Sequence, residues 1–511
     1  MRNLFGVFLL LFGLSASAQL SLTKSQIDFG TVQYKADKTQ QVTISNSDNF
    51  DVNVTVKCYS KDFFVDDSSF VILGNKSHTV NVFFSPRYNM TYNQEVVFVS
   101  SSRYGSLALD VRGKGQYDAY YASTFDKRDE DLKSALKSII SANYRNLGYT
   151  AARDAMYSNI DNVNGKVTCV YTGREATFNS RSGANSNNFN CEHTWPQSFF
   201  NQNEPERADI HHLFPTDAGA NSRRSNYRFA VVTNASWSEG GSKLGSGVFE
   251  PRDEHKGDVA RAMMYFAVRY QNYSSFLTNQ ESLLRVWHND KLPNDWSRKR
   301  NEAIFGYQRN RNPFVDYPEF TDRITSISTT ANATLEAEIT PSVDEIRLSG
   351  VPTWTSPYKL VLTNTGTASA TINLAHSSSD ITLSTNTANL LPGESITIEV
   401  TFKSSVQSIS DIIKVSGFGD NLDIKVSVGL SNIENINKQN LELRTSEGQI
   451  GVVPNQSGEL YVMDIQGKTI FFTEIQSPFT EIMVDNLLSG AYFVCVKRKS
   501  GEQIVQRVWV P

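Results

Sequence analysis

The chain has 511 residues, of which 39% are hydrophobic and 20% are charged, and its formal net charge is −4 at pH 7. This length exceeds what one hydrophobic core usually supports, so we expect several domains. The ordinary composition excludes a collagen-like or mainly disordered chain. Basic and acidic side chains also nearly balance within residues 117–325, which excludes a broad basic surface that binds any polyanion strongly.

The first eighteen residues have the pattern of a secretory signal peptide. Arg2 precedes an apolar run over residues 4–14, and the small residues ASA at 16–18 fit the site that a signal peptidase cuts. The apolar run is shorter than the ~20 residues of a membrane-spanning helix, and no later stretch supplies a second candidate. We expect residues 1–18 to be removed and the protein to be exported through the periplasm without a transmembrane segment.

Residues 19–116 and 336–431 share one pattern of short, alternating, β-branched runs separated by Asn, Asp, Ser and Gly. YKLVLTNTGTASATINL, from Tyr358, repeats the pattern of QQVTISNSDNFDVNVTV, from Gln41. Alternation with period two and frequent turn residues predicts all-β sandwiches. Both units resemble the immunoglobulin-like modules found beside enzymes on bacterial surfaces, and we expect them to act as spacers.

Residues 117–324 have a different, helical periodicity. EDLKSALKSII places Leu132, Leu136 and Ile140 on one stripe, and GDVARAMMYFAVRY behaves in the same way. This central unit is predicted to be mainly helical with a few strands. A Ser/Thr-rich linker over residues 325–335 follows it.

Residues 432–511 return to a β pattern and are predicted to form a C-terminal β-sandwich. Gly467-Lys468 marks a turn between strands, and LSGAY starts at Leu488. These landmarks resemble the C-terminal sorting domain of the type IX secretion pathway of Bacteroidetes. The resemblance implies that the secretion machinery is a partner and that the protein is secreted or held at the cell surface. The alternative is one more structural sandwich.

Two neighbouring segments of the central unit carry the chemistry, NCEHTWPQSFF from Asn190 and RADIHHLFPTDAGANSRRSNYRF from Arg207. Phosphodiester hydrolysis requires activation of a water molecule and neutralisation of charge on the phosphoryl oxygens. His193 can serve as the base, and Glu192 and Asn221 offer the hard oxygen ligands of a Mg²⁺ site. Adjacent residues within a strand point to opposite faces, so Glu192 and His193 are expected at a strand end.

Five blocks occur in order between residues 192 and 320: EHTWPQS, DIHHLFPTD, NSRRSN, FEPRDEHKGDVARAMMYF and RNPFVDYPEF. Together they resemble the bacterial endonuclease I family. The resemblance implies a multidomain protein whose α+β nuclease unit has a His-Me finger, or ββα-metal, core. It implies His193 as general base and Glu192 and Asn221 as ligands of Mg²⁺, with Ca²⁺ and Mn²⁺ as alternatives. The expected substrate is DNA, cut with little sequence preference, or also RNA, and we expect a monomer.

The phosphate-binding arginine of that family lies in a longer loop than the one present here. Arg207 and Arg224 are equal candidates for a phosphate contact in this chain. Cys169 and Cys191 bracket the run into the motif. A disulfide between them would stiffen this loop, and two buried free thiols are the alternative.

Two other functions compete with the nuclease hypothesis. Asp209, His211 and His212 could form the zinc site of a hydrolase with another substrate, although adjacent histidines on a strand diverge. The second is a surface adhesin whose central unit has lost activity. The presence of Glu192, His193 and Asn221 argues against it.

Overall fold

The computed structural model describes residues 20–100, 104–271, 275–349, 357–403, 408–429, 441–446, 449–454, 458–464, 468–475, 482–485, 487–488, 490–498 and 503–510. The predicted signal peptide and two landmarks of the tail, Gly467 and Ser489, lie outside these ranges. Within the described ranges, none of the helices has the length and apolar character needed to span a membrane.

The first sandwich has two sheets, with strand orders β1-β3-β7-β5 and β2-β9-β8-β4-β6. Its strands are β1 (Leu20–Leu22), β2 (Gln26–Gln33), β3 (Lys38–Asn46), β4 (Val52–Cys58), β5 (Phe63–Val65), β6 (Ser69–Ile72), β7 (Ser77–Phe84), β8 (Thr91–Ser100) and β9 (Ser106–Gln116). Alternate residues face the core: Val52 and Val54 are buried, whereas Asn53 between them is exposed. The predicted β-sandwich pattern is confirmed here.

The central unit is built around helices, as its periodicity predicts. Its helices are α1 (Asp129–Ser141), α2 (Gly148–Ala155), α3 (Arg181–Ser186), α4 (Ala218–Arg224), α5 (Lys256–Tyr270), α6 (Ser275–Thr278), α7 (Glu281–Asp290), α8 (Asp295–Gln308) and α9 (Pro313–Asp316). Helix α5 is apolar nearly all round, from Val259 to Val268, and is therefore buried between α1 and α7.

The strands of the central unit are short. They are β10 (Asn162–Val163), β11 (Lys166–Thr168), β12 (Glu175–Thr177), β13 (Phe189–His193), β14 (Leu213–Asp217), β15 (Arg228–Phe229), β16 (Trp237–Glu239), β17 (Ser242–Gly245) and β18 (Val248–Glu250). Strands β13 and β14 form an antiparallel pair in which His193 lies opposite Leu213. Helix α4 begins directly after β14, so two strands and one helix follow each other at the site.

The second sandwich repeats the design of the first, with sheet orders β19-β21-β25-β23 and β20-β27-β26-β22-β24. Its strands are β19 (Ile339–Pro341), β20 (Glu345–Ser349), β21 (Tyr358–Asn364), β22 (Ala370–Ala375), β23 (Ile381–Leu383), β24 (Thr387–Leu390), β25 (Ser395–Phe402), β26 (Ser408–Ser416) and β27 (Leu422–Gly429). In both sandwiches the first strand of the larger sheet pairs in parallel with the last, β2 with β9 and β20 with β27. The internal repeat seen in the sequence is therefore a repeat of topology.

The C-terminal unit is also a β structure, with sheet orders β28-β29-β32 and β31-β30-β33-β34. Its strands are β28 (Leu441–Ser446), β29 (Gln449–Pro454), β30 (Gly458–Met463), β31 (Thr469–Ile475), β32 (Ile482–Val484), β33 (Gly490–Arg498) and β34 (Gln503–Val510). Ile450, Leu460 and Val494 belong to its small core.

The first sandwich does more than separate domains, because it packs directly on the central unit. Arg323 of the central unit is buried and donates to Asn89 Oδ1 of the sandwich at 2.6 Å. Tyr34 donates to Glu319 Oε1 at 2.6 Å, and its ring meets the ring of Tyr317 edge-on, with centroids 5.1 Å apart. The expected role as a passive spacer does not account for these contacts.

Candidate active site

Glu192 and His193 occupy the last two positions of β13, and both line one cleft together with Asn221 of α4. The cleft has a volume of about 350 Å³. Its remaining lining residues are Cys191, Pro196, Gln197, Ser198, Ser222, Arg224, Ser225 and Asn226. The strand end lets the two neighbours share a site, as the sequence predicts. The three side chains on which the sequence argument depends are thus brought together.

One ring nitrogen of His193 is hydrogen-bonded to the backbone, and the other can accept a proton. Nε2 lies 3.2 Å from the carbonyl oxygen of Arg207, which can only accept, so Nε2 carries the proton and Nδ1 the lone pair. The side chain is buried, and its ring packs beside Tyr149, with centroids 5.3 Å apart. Burial, and then the neighbouring His212, hold the pKa of His193 well below its usual value. The ring is therefore neutral at ambient pH and can accept a proton.

Glu192 is only 2% exposed, yet it has two polar partners inside the protein. The hydroxyl of Tyr171 donates to Oε1 at 2.7 Å, and Nε of Arg224 forms an ion pair with the same oxygen at 3.3 Å. Burial raises the pKa of Glu192, while Arg224 and Tyr171 act in the opposite direction. Within the described residues, both of these partners contact Oε1. Oε2 is therefore the carboxylate oxygen that neither of them contacts.

Asn221 lies one helical turn inside α4, where Asp217 caps the helix by accepting from the amides of Gly219 and Ala220. Its Nδ2 donates to the carbonyl of Cys191 at 3.3 Å, so its Oδ1 remains an acceptor. One carboxylate and one amide oxygen at one cleft are hard donors of the kind that Mg²⁺ takes when it also keeps several waters. The residues present therefore fit a single divalent cation.

Residues 128–319 match the family model of endonuclease I. The chain is 34% identical over 239 residues to an extracellular ribonuclease of Bacillus subtilis (strain 168), covering 43% of this chain and 82% of that protein. It is also 34% identical over 227 residues to an extracellular ribonuclease of Bacillus amyloliquefaciens, covering 40% of this chain and 78% of that protein. The chain belongs to the endonuclease I family.

This endonuclease I family member is a nuclease that hydrolyses phosphodiester bonds, so the inactive-adhesin alternative is wrong. Residues 18–114 and 337–428 match an Ig-like domain model of the HYDIN/CFA65/VesB type, and residues 420–510 match a secretion system C-terminal sorting domain. The sorting domain and the extracellular relatives identify the protein as secreted, and the alternative of a purely structural tail is wrong.

The two arginine candidates of this nuclease have different environments. Arg224 lines the cleft but is only 1% exposed, and it donates to the carbonyls of His193, Thr194 and Ser225, which hold its guanidinium in place. Its phosphate contact stays a prediction. Arg207 is half-buried, and its guanidinium lies over the Tyr149 ring at 4.5 Å, on the same ring that packs against His193.

The zinc alternative is not supported by the positions of its three residues. His211 and His212 lie in a short 3-10 helix, where Nε2 of His211 contacts the carbonyl of Asn310 and Nε2 of His212 contacts that of Glu206. Asp209 is surrounded by donors, among them the hydroxyl of Tyr265 at 2.8 Å. Within the described ranges, no group of three or more His, Cys, Asp or Glu side chains could hold a metal ion. These residues hold the core of the nuclease together.

The disulfide between Cys169 and Cys191 is a wrong prediction, since both are free thiols. Sγ of Cys169 accepts from the backbone amides of Thr172 and Asp217, at 3.3 and 3.0 Å, and so ties a turn to the end of β14. Burial raises the pKa of the Cys191 thiol to about 12, which keeps it protonated and unreactive. The loop is stiffened by hydrogen bonds instead of a covalent bridge.

Tyr171 is the site residue that the sequence analysis missed. It lies 21 positions before Glu192 and outside the motif, in a turn after β11. A tyrosine in a polar turn gives no sequence signal of a contact with a carboxylate, so only the fold reveals it.

Proposed function

We propose that this secreted nuclease is a metal-dependent endonuclease that cleaves DNA with little sequence preference and RNA as a second substrate. His193 is the general base, and Glu192 and Asn221 hold one divalent cation, Mg²⁺ in the first instance. The observation that carries the proposal is the single cleft that these three side chains line. The relatives named extracellular ribonucleases support RNA as a substrate.

His193 acts through Nδ1, because Nε2 is committed to the carbonyl of Arg207. Nδ1 takes a proton from a water molecule, and the oxygen of that water attacks phosphorus. The bond from phosphorus to a sugar oxygen breaks, and that oxygen leaves with the bonding electron pair and takes a proton from solvent water. The carbonyl also stabilises the imidazolium that forms, since Nε2–H then donates from a charged ring. The bound cation supplies neutralisation of charge on the phosphoryl oxygens and on the departing oxygen.

The local fold supports a ββα-metal core. The antiparallel pair β13–β14 delivers Glu192 and His193, and α4, which follows immediately, delivers Asn221. A site on strand ends and the first turn of a capped helix is rigid, which catalysis through a positioned base requires.

Arg207 is proposed to contact a substrate phosphate. Its guanidinium is held against Tyr149, beside His193, and its Nε is buried without a hydrogen-bond partner among the described residues. An arginine in that position can donate to a phosphate oxygen with its remaining N–H groups.

The experiment is an assay on supercoiled plasmid and on structured RNA, with Mg²⁺ and with a chelator. We expect both substrates to be degraded with Mg²⁺ and neither in the chelator, with activity restored when Mg²⁺ is returned; parallel assays with Ca²⁺ and Mn²⁺ rank the alternative metals. Undiminished cleavage in the chelator would contradict metal dependence. Tightly held stoichiometric zinc in the purified protein would contradict the proposed Mg²⁺ site.

We also propose that the protein is a monomer, and light scattering in solution tests this.

A further inference from the structure

The carboxylate at the proposed metal site is already paired with a positive charge inside the protein. Arg224 and Glu192 are 1% and 2% exposed, and Nε of Arg224 lies 3.3 Å from Oε1 of Glu192. Tyr171, itself fully buried, donates to the same oxygen at 2.7 Å. Oε1 of Glu192 is therefore paired with a positive charge and also accepts a hydrogen bond.

The guanidinium of Arg224 is fixed in place. Its Nη1 donates to the carbonyls of His193 and Ser225 at 3.3 and 3.0 Å, and its Nη2 donates to the carbonyl of Thr194 at 2.6 Å. The guanidinium carbon, Cζ, lies 4.7 Å from the centroid of the Phe229 ring. Because arginine stays protonated in proteins, this positive charge is a permanent part of the site.

The charges around the cleft therefore cancel before any cation enters. Among the described residues that line the cleft, Glu192 is the one aspartate or glutamate and Arg224 the one arginine or lysine. The other proposed ligand, Asn221, carries no charge. The affinity of an oxygen site for a divalent cation rises with the number of charged ligands, so this site lacks the negative charge that would bind Mg²⁺ tightly by itself.

We propose that the buried charge of Arg224 keeps the metal affinity of the free enzyme low, so that the cation and the nucleic acid bind cooperatively. A phosphate entering the cleft supplies the missing negative charge and further ligand oxygens. By thermodynamic linkage the cation then tightens nucleic-acid binding by the same factor. Arg224 is a positioning residue that acts through Glu192. The inference rests on the proposed function of Glu192 and Asn221 as metal ligands.

The coupling can be measured without catalysis on the full-length His193→Ala protein. Free Mn²⁺ is followed by its electron paramagnetic resonance signal, with and without a single-stranded oligonucleotide, and oligonucleotide binding is followed by fluorescence anisotropy with and without Mn²⁺. The Glu192→Gln, His193→Ala double variant gives the background for Mn²⁺ bound by the oligonucleotide alone. We expect each ligand to tighten the other at least about 10-fold, which is about 1.4 kcal/mol.

Two neighbouring arginines provide a matched comparison in the same His193→Ala background. Arg224→Met should bind Mn²⁺ at least about 10-fold more tightly in the absence of nucleic acid. Arg223→Met removes an equal charge from an exposed position of α4 and should leave Mn²⁺ affinity unchanged. Arg224→Lys, which keeps the charge, should restore weak binding. If Arg224→Met does not fold, as circular dichroism would show, Arg224→Gln in the same background takes its place. Unchanged Mn²⁺ affinity in the folded variant would overturn the role of Arg224.

The possible failures are distinguishable. Equal Mn²⁺ affinity with and without the oligonucleotide, or tight binding by the free enzyme, would overturn the coupling and leave the metal site intact. No Mn²⁺ binding above the Glu192→Gln background in either condition would overturn both the coupling and the proposed ligand set.

Discussion

The chemistry of the His193 site is predictable from the sequence, whereas the contacts that surround Glu192 are not. The sequence motifs predict the base and the two proposed ligands, because those side chains carry the chemistry themselves. The same motifs do not reveal Tyr171 or the burial of Arg224, because both depend on how separate segments pack around Glu192. A sequence shows which groups are present, and packing decides which of them face solvent.

The proposed phosphate contact of Arg207 can be tested by comparison with Arg153, because both guanidinium groups lie against the Tyr149 ring. Arg207→Ala should lower kcat/KM on plasmid DNA about 10-fold through a higher KM, because a phosphate contact of about 1.4 kcal/mol is lost. Arg153→Ala is the control, since its guanidinium lies 4.0 Å from the centroid of the same Tyr149 ring. Steady-state kinetics should show the loss for Arg207 only. Equal losses in both variants would point to support of Tyr149 and not to a phosphate contact.

Four buried histidines, in addition to His193, should make the nuclease unit sensitive to acid. Burial lowers the pKa of each to about 4, and the unfolded state titrates near 6.5. They are His211, His212, His255 and His288. Below pH 6.5 the unfolded chain binds more protons, so the free energy of unfolding falls as pH drops toward 4, by up to about 1.4 kcal/mol per pH unit for each histidine.

Urea unfolding of the full chain at pH 7.5, 6.0 and 5.0, followed by the fluorescence of its tryptophans, measures this loss. A His255→Gln variant should flatten the pH dependence by about one proton. A free energy of unfolding that stays constant from pH 7.5 to 5.0 would contradict the buried neutral state of these rings.

At the scale of elements, the sequence predicts the strand end at Glu192 and His193, because neighbouring residues inside a strand could not face one site. His211 and His212, in contrast, are expected as neighbours on a strand, whereas residues Ile210–His212 form a 3-10 helix and the strand starts at Leu213. Asp209 causes the difference, since its side chain accepts from the His211 amide and its carboxylate is held by the distant Tyr265. Such long-range contacts leave no periodic signal.

Asp217 should decide the stability of α4. It accepts from the first amides of the helix and pairs with Arg174 at 2.7 Å, at a partly exposed position. Asp217→Ala should lower the free energy of unfolding by about 1–2 kcal/mol, mainly through loss of the cap. Asp217→Asn keeps the cap and should recover most of it. Urea denaturation compares the variants, and equal loss in both would assign the effect to the ion pair instead.

At the scale of the whole molecule, composition and repeats predict the order of the modules but not how they meet. The contact between Asn89 and Arg323 joins positions 234 residues apart. The predicted linker over residues 325–335 is also partly packed on the nuclease, since Glu281 accepts from the amides of Ile327 and Ser328. Interfaces of this kind depend on three-dimensional complementarity, which alternation and composition do not encode.

Arg323 tests whether the first sandwich and the nuclease unit stabilise each other. Arg323→Ala leaves Asn89 of the sandwich without its buried donor, and also the carbonyls of Thr124 and Lys127 within the nuclease unit, so we expect a loss of about 2–4 kcal/mol. Tyr88→Phe removes an exposed hydrogen bond to Asp322 at the same interface and should cost less than about 1 kcal/mol. Calorimetry of the full chain gives both values, and similar melting temperatures for the two variants would contradict a stabilising interface.

Activation of water by His193 is measured by the rate at which the His193→Ala protein cleaves supercoiled plasmid with Mg²⁺. We expect a loss of at least about 100-fold, with unchanged circular dichroism and melting temperature. His376→Ala, in the second sandwich, should cleave at the wild-type rate. Cleavage by folded His193→Ala protein as fast as by the wild type would show that His193 is not the base.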